Sequence, residues 1–167
     1  MHITDLMPEE QWEEVEKDIN ERSGLCACAF DAEGKRVTSF VKWSNALCPK
    51  VKGDPRGLSQ ICAVANQTMS AEARQSRQPV IDECDAGMAK IVVPIYAGQE
   101  FLGTVGGCGL LFEGGEVDAF LVSKTLGCPE EEVEELSRDM GTISRKDARA
   151  MAQYLMGRVD EIVRSST

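Results

Sequence analysis

Histidine is almost absent from this chain. Its 167 residues hold one, His2, at a terminus expected to fray. That removes most mechanisms built on an imidazole base or on a nucleophile activated by one. No run of 18 apolar residues occurs, so no membrane span is expected. The first residues, Met1-His2-Ile3-Thr4-Asp5, lack the basic start and apolar core of a signal peptide. A cytoplasmic location is expected. Basic residues are outnumbered 18 to 28, for a formal net charge of −10. Nucleic acid and anionic membrane surfaces need clustered Lys and Arg, so neither is an expected partner. There is no Cys-x-x-Cys, no Cys-x-x-Cys-His for covalent haem, and no phosphate-binding G-x-x-x-x-G-K-[ST]. What the chain does have is seven cysteines. The number is odd and no export signal accompanies it, so thiols or metal ligands are expected rather than a disulfide framework.

The length suits one domain, residues 1–167, with a real core. Pro8 fits a first helical position, with Glu9 and Glu10 behind it. Trp12, Val15 and Ile19 then share one face of a helix over 8–22, which Gly24 closes. Leu25 to Asp31 and Lys35 to Trp43 read as a strand pair joined through Ala32-Glu33-Gly34. Cys26, Cys28 and Phe30 lie on one face of its first strand, where small core residues explain them. Residues 44–54 read as a loop. Asp54-Pro55 is a cap and helix start, and the helix places Leu58, Ile61, Cys62, Ala65 and Met69 on a buried stripe.

Residues 87–112 form the central feature, a β-hairpin about Ala97-Gly98-Gln99. Ile91, Val93 and Ile95 share a face of its first strand. Phe101, Gly103, Val105, Gly107, Gly109 and Leu111 share a face of its second. Glycine inside a strand marks close approach by a backbone or a ligand. Two readings stand: the floor of a cavity, or a helix packed tightly on a bare strand. Helices follow over roughly 117–126, from Pro129, and over 145–164. The last carries an apolar seam (Ala148, Met151, Ala152, Leu155, Val159, Ile162) that can pack on the domain or pair with a second copy. The expected class is α+β, a small antiparallel sheet flanked by helices in a sensor-type architecture.

The chemistry concentrates in Cys48, Cys62 and Cys84, with Cys108 as a possible fourth. Thiolates suit zinc, copper(I) or an iron–sulfur cluster, while a free cysteine is also an ordinary small buried residue. Cys108 is placed on the strand face opposite Gly103, Gly107 and Gly109. Asp82, Glu83 and Asp85 flank Cys84. Carboxylates beside a thiol disfavour the thiolate, so a cysteine nucleophile is not expected.

Asn45-x-x-Cys48, Cys62 on a helix, Cys84-x-Ala86-Gly87-Met88, Val93-Pro94-Ile95 and a glycine-rich strand from Gly103 follow one another in an order that resembles the PocR sensory domain. The resemblance covers about residues 5–165. It implies a PAS/GAF-like module of bacterial and archaeal signalling proteins, including transcription regulators, that binds small hydrocarbon derivatives such as short diols. It also implies a sensing site lined by Asn45, Cys48, Cys62 and Cys84, with Asp85 where the family often has histidine. Family members usually carry an output module beside the sensor, and these residues contain none. Output is therefore expected through a signalling partner or self-association. The leading expectation is a non-enzymatic sensor that binds a small organic ligand. The alternatives are a metal or iron–sulfur sensor on Cys48, Cys62, Cys84 and Cys108, and a ligand-free adaptor pairing through the C-terminal seam.

Overall fold

The computed structural model describes residues 1–166. A short helix α1 (Ile3–Leu6) leads into α2 (Glu9–Ser23). Pro8 sits one step earlier than expected, as the extended residue before the helix. Gly24 ends it in the left-handed conformation, its N–H bonded to the Asn20 carbonyl at 2.8 Å. Strand β1 (Cys26–Asp31) comes next. Its expected hairpin partner does not form. The return segment makes one bridge, Arg36 to Phe30, and residues 37–43 carry no strand. Val37, Phe40, Val41 and Trp43 do not alternate, and Thr38 turns inward to hydrogen-bond Glu16.

The segment expected to be a loop contains helix α3 (Leu47–Gly53). Asp54 then caps α4 (Pro55–Gly57), accepting the Arg56 N–H at 2.8 Å, as the Asp-Pro pair predicts. A turn of π-helix (Leu58–Cys62) runs directly into α5 (Ala63–Ser76). Strands β2 (Val80–Glu83), β3 (Ala89–Ala97) and β4 (Glu100–Phe112) follow. Then come α6 (Ala119–Leu126), α7 (Glu130–Ser137), the short β5 (Thr142–Ile143) and α8 (Arg145–Ser166). None of the described helices is long and apolar enough to cross a membrane.

The strands pair antiparallel in the order β1-β4-β3-β2, and β5 adds a short parallel pairing to the end of β4. The fold is α+β. One sheet face carries Ala27, Ala29, Ile91, Val93, Ile95 and Val105. It packs on Trp12, Val15 and Ile19 of α2 and on Ala148, Met151, Leu155 and Val159 of α8. The C-terminal seam is thus buried inside this chain. The other face meets α5 through Val80, Val92, Met69 and Ala73. A second apolar cluster joins α3, the π-helix, the 84–88 turn, α6 and α7.

The hairpin 87–112 forms as expected, but simple alternation fails along β4. Ala89 pairs with Leu110 and Lys90 with Cys108, so Gly109 is an extra residue. Ile95 pairs with Gly103 and Tyr96 with Phe101, so Leu102 is another. Two bulges therefore interrupt the strand. Gly107 faces the α2 side, where an added Cβ would lie 2.9 Å from Leu25 Cβ. At Gly103 it would lie 2.0 Å from the Phe30 carbonyl oxygen. At these positions tight packing is the reason for glycine, and the expected cavity floor over Gly103 and Gly107 is incorrect.

Candidate functional site

The cavity opens on the opposite face of the sheet. It measures about 420 Å³ and lies between β1, β4 and β3 on one side and α3, the π-helix and α5 on the other. Its sheet side carries Cys28 and Phe30 from β1, Lys90 from β3, and Cys108 and Gly109 from β4. Cys26, Cys108 and Lys90 form one cross-strand row; Cys28, Gly106 and Val92 form the next. The helical side supplies Cys48, Val51 and Lys52 from α3, Leu58, Ile61 and Cys62 from the π-helix, and Asn66 from α5. Cys84, Met88, Glu33, Gly34 and Arg36 line it from the connecting segments.

Each thiol is placed by a local device. Asn45 Oδ1 accepts the N–H groups of Leu47 at 2.8 Å and Cys48 at 2.7 Å, closing the first turn of α3. Its Nδ2 donates to the Gly109 carbonyl at 2.7 Å, which ties α3 to the bulge. The wider π-turn presents Cys62, half-buried, to the cavity as well as to the apolar cluster around Ile61 and Met88. Cys84 sits at the start of a tight turn, with its N–H bonded to Met88 O and its carbonyl accepting from Gly87 N, both 2.9 Å. Cys48 Sγ lies 3.5 Å from Met88 Sδ.

Of the residues expected at a site, Cys48, Cys62, Cys84 and Cys108 all reach this cavity wall. Asn45 and Asp85 are not on it. The polar atoms of Asn45 are committed to Leu47, Cys48 and Gly109, and Asp85 is exposed in its turn. The sequence reading missed Cys28, Arg36, Lys52, Asn66 and Lys90. The one available signal was Lys90, a charge inside an apolar strand.

Burial is the main reason that the Cys48 thiol is pushed up to about 12, with the charges of Cys108, Cys84 and Cys62 adding to it. Burial likewise lifts Cys62 to about 11 and raises Cys84. These three are neutral thiols at pH 7, which makes them poor nucleophiles. Cys28 moves the other way. A hydrogen bond with the Cys26 thiol is the largest cause, it outweighs burial, and Lys52, Arg36 and Lys90 add to it. Among the described residues, no three His, Cys, Asp or Glu side chains are placed to share a single metal ion.

An antiparallel sheet with helices on both faces encloses a mostly apolar cavity with a few polar groups, the makeup of a small-molecule pocket. The chain belongs to the PocR family: the family model for the sensory domain found in PocR matches residues 5–167. No curated protein and no solved structure matches the chain.

Proposed function

We propose that this sensory domain is a non-enzymatic cytoplasmic module that takes a small organic ligand into the cavity between the sheet and α3–α5. The ligand is a short alcohol, a diol or a similar hydrocarbon derivative, and occupancy is passed to a partner protein through the flanking helices. The observation that carries this reading is the cavity itself. Its size falls at the lower end of small-molecule sites, and its wall combines Val51, Leu58, Ile61 and Met88 with a few polar groups. A route outward supports the signalling half. Arg36 on the wall ion-pairs at 3.5 Å with the fully buried Glu16 of α2. Glu16 also accepts the Ala29 N–H at 3.1 Å, so wall, β1 and α2 meet at one carboxylate. Binding biases output only if it favours one arrangement of these elements over another.

The test is a ligand found by mass spectrometry of protein purified from its host, followed by thermal shift with that compound. Cys84→Ser is expected to weaken the ligand-induced stabilisation. Equal stabilisation of variant and parent would remove Cys84 from the site.

A second reading rests on the gathering of Cys48, Cys62, Cys84 and Cys108 around one space. No single-ion geometry exists there, but an iron–sulfur cluster holds its thiolates farther apart than one ion does. Anaerobically purified protein that is colourless, iron-free and stable would exclude it.

A further inference from the structure

Lys90 is 8% exposed, in the middle of the sheet, with its side chain on the cavity wall. Among the described residues its ammonium makes no hydrogen bond and no ion pair, and its cross-strand neighbour Asp82 on the edge strand β2 is exposed. Lys52 faces it across the same space, with its Nζ 5.6 Å from the centroid of the Trp43 ring. A cation held against apolar residues without an ion pair is costly to keep. Two more groups on this wall are also unpartnered. Arg36 Nε and Asn66 Oδ1 are the buried side-chain nitrogen and oxygen atoms, among the described residues, that lack any hydrogen bond. The orphaned polar atoms of the structure therefore collect at one cavity. The acidic group that faces them on the wall is the Cys28 thiol, whose pKa is lowered first by the Cys26 thiol and further by Lys52, Arg36 and Lys90. The wall's only carboxylate is Glu33, which is exposed.

We propose that the ligand is an organic anion, a short-chain carboxylate, whose charge is held by Lys90 and Lys52 while its hydrocarbon body lies on Leu58, Ile61 and Met88. The inference rests on the reading of this cavity as the sensing site and puts an anion in place of the neutral alcohol or diol. Asn66 is placed to take a second polar group, such as a hydroxyl, from the same molecule. A phosphate ester is the poorer match. It is best held by a guanidinium fork or a cluster of backbone N–H groups. Arg36 already gives its Nη2 to the Phe40 carbonyl at 2.5 Å and to Glu16. Two ammonium groups in an apolar enclosure fit one compact charge instead. The cavity, at about 420 Å³, favours a molecule of a few carbons.

The experiment uses the full chain and a fixed panel of probes. Unbranched carboxylates of increasing length, with and without a terminal hydroxyl, are compared with propane-1,3-diol, the matching amides and inorganic phosphate. Thermal shift and calorimetry read each. At least one carboxylate is expected to bind about ten- to a hundred-fold more tightly than its amide, the scale of a charge-assisted hydrogen bond. Lys90→Met is expected to erase that preference. Its unliganded melting temperature should equal or exceed the parent's, because a buried unpaired charge is gone, which also reports that the variant folds. Diol or amide binding as tight as the carboxylate overturns the anion assignment and leaves the organic-sensor reading standing. Tighter binding of phosphate overturns the carboxylate class. If no probe binds, both the assignment and the organic-sensor reading fall. A carboxylate preference that survives Lys90→Met moves the site away from Lys90.

Discussion

Replacing Gly109 by alanine tests the bulge that organises the cavity. Gly109 has φ +103°, a conformation that L residues rarely adopt. Forcing a side chain there costs about 1–3 kcal/mol. The new Cβ would also sit 3.1 Å from Ser44 Cβ and 3.3 Å from Asn45 Nδ2. Asn45 is the tie between the bulge and α3, donating to the Gly109 carbonyl at 2.7 Å while holding the Cys48 N–H. Displacing it forfeits a hydrogen bond worth about 0.5–1.5 kcal/mol. The sum is roughly 2–4 kcal/mol, and a domain of this size loses about 2–4 °C of melting temperature per kcal/mol. A fall of roughly 5–15 °C is expected by scanning fluorimetry. Two controls separate the causes. Gly98 has φ +62° with nothing near its Cβ, so Gly98→Ala isolates the backbone penalty and should cost about 1–2 kcal/mol. Gly157 lies in α8, has ordinary φ and open space, and should gain about 0.5–1 kcal/mol as alanine. If Gly109→Ala melts with the parent, or above Gly98→Ala, the bulge does not hold α3 in the way described.

Glu16 predicts a pH effect. Burial is the largest cause raising its carboxyl above 4.5, against opposing bonds from Thr38 and Ala29 and the charge of Arg36. An acid raised on folding penalises the native state once it ionises, so the penalty is absent below about pH 4.5 and grows as pH rises through the folded value. Glu16→Gln should therefore gain melting temperature on the parent as pH goes from 4 to 7. A constant difference between the two would refute the linkage. Leu155 tests the C-terminal seam. It is 1% exposed against the sheet, so Leu155→Ala should destabilise the fold by about 2–5 kcal/mol, measured by denaturant unfolding, with no change of oligomeric state by light scattering. Loss of a dimer at unchanged stability would make the seam an interface between copies instead.

Most helices and the central hairpin were legible because their signals are local. Trp12, Val15 and Ile19 mark α2 by period. Asp54-Pro55 marks the start of α4, Gly24 closes α2, and Pro129 precedes α7. Helices α1 and α3, strand β5 and the pairing of β1 were not. Helix α3 has no strong start of its own, since its first turn is closed by Asn45 from two residues before Leu47. The expected partner of β1 failed for a tertiary reason. The segment after Arg36 is drawn to buried Glu16 through Thr38, and β1 pairs with β4 at a separation of about eighty residues.

Cys48, Cys62, Cys84 and Cys108 meet at one cavity wall, but the sheet face that carries it was not legible, because alternation separates two faces without saying which one a helix covers. Gly107 and Cys108 stand on opposite faces as alternation places them, but the cavity opens on the Cys108 face while Gly107 packs against Leu25. The better guide was charge in the wrong place. Lys90 stands between Ala89 and Ile91-Val92-Val93 in a strand buried on both faces. A surface lysine lays its stem on apolar residues and keeps its ammonium in water. Here helices α2 and α8 close one side and α5 packs on the other, and the Lys90 side chain lies along the cavity wall. A lysine at that position requires room for its ammonium beside the sheet, and the cavity is that room.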